Sequence, residues 1–108
     1  MKDIRIENHC ILVQSGDDKV YLTKTQINKM KMMLDGKIKD SFKSPTIPSN
    51  RFFKEGDNII VTSELNRITI TPKDIKSILS IRDNNRKYLI FDNEIYKRDY
   101  ERYSYKRY

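Results

Sequence analysis

Ile4 and Ile6 alternate with Arg5 and Glu7, the two-residue period of a strand with one buried face. Ile11-Leu12-Val13 and Val20-Tyr21-Leu22 follow as short apolar runs. The segment between them, Gln14–Lys19, contains Ser15-Gly16-Asp17 and predicts a β-hairpin with a loop of up to six residues. The period then lengthens. Ile27, Met30, Met33 and Leu34 share one face at helical spacing, and Met32 falls on the polar side. Thr23-Lys24-Thr25-Gln26 has the form of a capping box, with the Thr23 hydroxyl taking one orphan N–H and Gln26 reaching back to another. Leu22 and Ile27 are spaced as a hydrophobic staple across that cap. Asp35-Gly36 ends the helix, with Gly36 suited to the left-handed position beyond it.

Regular patterning lapses over Lys37–Arg51, where Ser44-Pro45 and Pro48-Ser49-Asn50 break any period. This predicts a long loop, basic over residues 37–54, that Phe42 and Ile47 pin to the core. After Glu55-Gly56-Asp57 the period returns to two. Ile59 and Val61, then Ile68 and Ile70, flank a turn at Glu64–Asn66. Ile75–Ile81 is apolar enough for a strand, Asp83–Arg86 reads as a turn, and Lys87–Phe91 as a further strand. The stretch Asp57–Phe91 thus has the rhythm of a small SH3-like half-barrel, a generic pattern that carries no function by itself. A C-terminal helix capped near Asp92 or Asn93 completes the reading. The expected fold class is α+β: an N-terminal β-hairpin, a central helix, four short antiparallel strands and a C-terminal helix in one small domain spanning 1–108.

Composition supports a folded chain. Leu, Ile, Val and Phe make up 28 of 108 residues, above the fraction of about 20% below which chains stay disordered. Ala is absent, while Lys (14), Ile (15) and Asn (8) are abundant, a bias expected of an A/T-rich genome such as that of a low-GC bacterium, its phage or another mobile element. The single Cys excludes an intramolecular disulfide and fits a reducing compartment. Met1-Lys2-Asp3 leads into no apolar run of the secretory kind, and no stretch approaches the ~20 apolar residues of a membrane span. A cytoplasmic protein with no membrane partner is expected.

Charge is what changes the picture. Of a net charge of +7, six units lie in residues 23–54, which hold eight Lys/Arg against two Asp and no Glu. A concentrated basic element is the usual footprint of a surface that meets phosphate or an acidic partner, although a charge run is also often just a solvated face. The candidate contacts here are Lys24, Lys29, Lys31, Lys37, Lys39, Lys43 and Arg51. The tail, 92–108, interleaves aromatics with cations, and five of the seven Tyr fall in its last thirteen residues. Aromatic faces stack on bases while cations hold the backbone, so Arg102, Tyr105 and Arg107 join the candidates. Tyr96, Tyr100 and Tyr103 sit at helical spacing and equally suit docking of a last helix.

Other chemistry is thinly represented. His9-Cys10 is the only His beside the only Cys, and neighbouring strand residues point to opposite faces, so a nucleophilic dyad is not expected. Asp17, Asp18 and Asp57 sit beside Gly in turns, which turn chemistry explains. No phosphate-cradling glycine loop or nucleophile elbow occurs. The sequence therefore predicts no enzyme, metal or cofactor. It predicts a binding module for nucleic acid or a nucleoprotein. The alternative is a regulator or inhibitor of a host enzyme, presenting its basic surface to a host protein with an acidic face. Self-association into an oligomer is compatible with either.

Overall fold

A computed structural model describes residues 2–44 and 50–92. The first three strands, β1 (Lys2–Glu7), β2 (Cys10–Ser15) and β3 (Asp18–Leu22), form an antiparallel sheet in sequence order. Both connections are two-residue turns. Asn8 and His9 each take positive φ (54° and 62°), the pattern of a turn whose twist matches that of the strands it joins. Ser15 pairs with Asp18, so the second loop is shorter than the pattern suggested. Gly16 at φ 61° lets the strands run to a tight Gly16-Asp17 turn.

Helix α1 (Lys24–Leu34) begins at Thr23, whose hydroxyl accepts the Gln26 N–H at 3.2 Å. The reciprocal half of the expected capping box is not made. Gln26 is fully buried, and its side-chain amide turns to Ser44 and Asn50 instead. At the other end Gly36 N–H reaches Met33 O (3.2 Å) and Lys37 N–H reaches Met32 O (2.8 Å). These two bonds close a Schellman motif around Gly36 at φ 75°. Ile27, Met30 and Met33 are buried, and Met32 is exposed on the polar side.

Chain that reads as a loop after α1 contains β4 (Ser41–Lys43), and Arg51 opens β5 (Arg51–Glu55). Phe42 stacks on Phe52 at 4.2 Å between ring centroids, so it does anchor this segment; Ile47 lies outside the described residues. β6 (Asn58–Thr62) and β7 (Arg67–Ile70) complete a four-stranded antiparallel sheet in the order β4-β5-β6-β7. The architecture is thus α+β, with a three-stranded sheet, a helix, a four-stranded sheet and a closing helix. The four strands are not all the anticipated ones. Ile75–Ile81 belongs to helix α2 (Pro72–Asn84). Thr71 and Asp74 form a full capping box, Pro72 occupies the first turn, and buried Ile75 and Ile78 are three residues apart. Lys87–Phe91 is no strand, though Ile90 bridges two elements: its N–H reaches His9 O and its carbonyl accepts from Lys24 N–H. The helix anticipated beyond Asp92 lies outside the described residues.

The inner faces of both sheets and the apolar faces of both helices share one core. Ile11, Val13, Val20 and Leu22 meet Phe52, Ile59, Val61, Ile68 and Ile70 across Ile27, Met33 and Ile78. Burying each such side chain is worth about 1.5–3 kcal/mol. The sheets abut at β3 and β7, where Lys19 N–H reaches Asn66 Oδ1 at 3.0 Å and Arg67 N–H reaches Asp18 Oδ1 at 3.5 Å. Among the described residues the strands close no barrel. No helix among them is long and apolar enough to cross a membrane.

Candidate functional site

The antiparallel register of the four-stranded sheet lines up Lys43, Arg51, Thr62 and Arg67 across all four strands. The next row on the same face is Ser41, Phe53, Ile60 and Thr69. Between these two rows runs Phe42, Phe52, Val61 and Ile68, which points into the core, as the two-residue period requires. The outer face therefore carries three exposed cations in one row and, beside them, a phenylalanine ring that is 42% exposed. Among the described residues no carboxylate pairs with Lys43, Arg51 or Arg67. Lys43 and Arg51 border two hollows. One of about 330 Å³ is completed by Thr62, Ser63 and Glu64, and one of about 220 Å³ by Ser41, Phe42 and Phe53.

A buried polar network fixes this cation pair from behind. Lys43 precedes Ser44 and Arg51 follows Asn50, so outward cations alternate with inward polar groups. Ser44 N–H donates to Asn50 O at 2.9 Å, and the Ser44 hydroxyl donates to Asp92 Oδ2 at 3.2 Å. Gln26 donates to that same hydroxyl at 3.0 Å and accepts from Asn50 Nδ2 at 2.8 Å. Asn50 Nδ2 also reaches Tyr21 O at 2.7 Å. Asp92 takes a short hydrogen bond from Thr23, and its N–H donates to Thr25 Oγ1 at 2.9 Å. Thr23, Gln26, Ser44, Asn50 and Asp92 are all buried. Asn50 Oδ1 alone is buried without a partner among the described residues; the network's other bonds rigidify what they touch, and they hold Ser44 and Asn50 directly behind the two cations.

The described basic residues predicted from sequence have different local partners. Lys24 donates to Arg86 O at 3.2 Å and lies 4.7 Å from the centroid of the Phe91 ring, so it is engaged near the start of α1. Lys31 pairs with Asp35 at 3.3 Å. Lys29 lies 5.8 Å from the Phe42 ring centroid, which brings it to the β4 edge. Lys37 and Lys39 are exposed in the connection from α1 to β4. Only Lys43 and Arg51 are register partners. Arg102, Tyr105 and Arg107 lie outside the described residues.

Sequence reading missed Phe53 and Arg67. Both were signalled by parity. Arg67 alternates with Ile68 and Ile70, and Phe53 is out of phase with core-facing Phe52. At the β1–β2 turn, exposed His9 holds its Nδ1 3.0 Å from Tyr88 O, while Cys10 is buried. No protein-family model, curated protein or solved structure matches the chain.

Proposed function

We propose that this chain is a small non-enzymatic binding module that engages nucleic acid or a nucleoprotein through the outer face of its four-stranded sheet. The observation that carries the reading is the row Lys43–Arg51–Arg67, free of carboxylate partners among the described residues and set beside exposed Phe53. Unpaired cations held by a rigid scaffold neutralise phosphates without first breaking an internal ion pair. They supply affinity and register rather than base specificity.

Anisotropy titrations of a labelled oligonucleotide between ~50 and ~200 mM salt test this. Binding should weaken steeply with salt. Lys43→Ala and Arg51→Ala should each lower affinity and make the slope of log K against log salt shallower by about one. Lys31→Ala should leave both unchanged, because Lys31 already faces Asp35. Salt-independent binding, or an equal effect from Lys31→Ala, would remove the phosphate reading.

The second reading, a protein-directed regulator, draws on Leu65, 93% exposed at the β6–β7 tip, and on exposed Met32. Isolated exposed apolar side chains are common on soluble domains, so these weigh less than an ordered row of exposed cations. A protein partner that survives nuclease treatment and is lost in Leu65→Ser would favour it.

A further inference from the structure

Building on the phosphate-binding reading, we infer that the ligand is single-stranded nucleic acid, with a base stacked on Phe53 and the adjoining phosphates on Lys43, Arg51 and Arg67.

Shape separates single strands from duplex. Three interstrand spacings put the ends of the Lys43–Arg67 row roughly 14 Å apart. The major groove of B-DNA is about 12 Å wide and admits a helix or a two-stranded ribbon, so a four-stranded face does not enter it. The same face suits a strand laid across it. Phe53 stands two residues from Arg51 on one side of β5, about 7 Å along the strand. A base on the ring therefore leaves its sugar-phosphate within reach of the cation row.

Chemistry points the same way. Phe53 lies over the open face rather than in the core, opposite Ser41 on one side and Ile60 on the other. Ile60, its cross-strand register partner, is only 6% exposed, so the ring is bordered by an apolar residue on the β6 side. The 220 Å³ hollow beside it is bounded by Lys43 and Arg51, which places cations at the rim of an aromatic platform. Base–aromatic stacking is tolerant of sequence because every base has a π-face. A duplex offers no unstacked base for such a platform, and an acidic peptide offers charge without a π-face. Weak sequence preference is expected.

The chain contains no Trp, so Phe53→Trp installs a single fluorophore at the stacking position. The test compares a single-stranded oligonucleotide, the duplex of the same length and a poly-glutamate peptide, using the full chain. The inference expects the single strand to bind at least tenfold tighter than the duplex. It expects Phe53→Trp to retain binding, with emission quenched by the single strand and not by the peptide. Phe53→Leu, which keeps an apolar side chain opposite Ile60, should lose about five- to 150-fold on the single strand, the worth of one stacked base. If single strand and duplex bind equally, with Phe53→Leu silent and Lys43→Ala weakening both, stacking is overturned while the phosphate reading stands. If neither nucleic acid binds, or only the peptide does, both fall together.

Discussion

Cys10 shows how position governs the chemistry of a single residue. It opens β2 and is buried. Burial pushes its thiol up to about 11, and the charge of Asp92 adds to the shift. At pH 8 the thiolate is then a fraction on the order of one in a thousand, and the thiolate is the reactive form. The native protein should react with an aromatic disulfide reagent only at the rate at which it opens, and fully once urea unfolds it. Rapid labelling of native protein at pH 8 would contradict the burial of β2. The linkage has a defined sign. An unfolded thiol ionises near 8.5, so this contribution to stability is present below that pH and fades as pH rises toward 11. Strand alternation was expected to set His9 and Cys10 on opposite faces; in the structure His9 is exposed in the turn and Cys10 opens β2 buried, a difference local sequence did not reveal.

At the scale of elements, α2 marks where the sequence misled and why. Ile75, Ile78, Leu79 and Ile81 fit a helix by spacing, yet the segment is also short and apolar, a combination that periodicity alone does not resolve. The deciding signal lay upstream in Thr71-Pro72-Lys73-Asp74, a capping box with Pro in the first turn. The superficially similar Thr23–Gln26 pattern made only half a box, because Gln26 was claimed by the buried network. Asp74 also pairs with Lys2, tying α2 to β1. Burial pushes its carboxyl up, but hydrogen bonds from Lys2 and Thr71 outweigh that and hold it below the usual carboxylate range. A carboxyl depressed in the folded state stabilises above its unfolded pKa and loses that contribution as pH falls through the folded value. Asp74→Asn should therefore cost about 0.5–1 kcal/mol at pH 7, with the difference from the parent shrinking below about pH 4. Urea midpoints at pH 7 and pH 3 check this; a pH-independent difference would mean that the carboxylate charge contributes nothing.

For the whole molecule, what could not be read in advance is the joining of distant segments. Excess charge in 23–54 was plain, but its division among Lys24 at Phe91, Lys31 at Asp35 and the Lys43–Arg51 pair depends on partners absent from local sequence. The same holds for the joint between the sheets. Asn66 and Asp18 are turn-forming types, and nothing local reveals that each accepts a backbone N–H from the other sheet. Through that joint the strands run β1-β2-β3, then β7-β6-β5-β4, so Arg67 stands on the four-stranded face beside the seam and Lys43 at the far edge. Among the described residues the β3–β7 seam carries one such bond at 3.0 Å and a weaker one at 3.5 Å. Asn66→Ala removes the shorter bond and leaves the Lys19 N–H without its acceptor. A hydrogen bond of net worth about 0.5–1.5 kcal/mol converts to a roughly two- to tenfold change in the local opening equilibrium. Exchange of the Lys19 amide should accelerate by that factor, measured by hydrogen exchange under native conditions. Leu12 and Val61, inside the two sheets, should change only with global stability. If Lys19 stays protected while the core amides speed up, the two sheets are held together by their shared core and not by the seam.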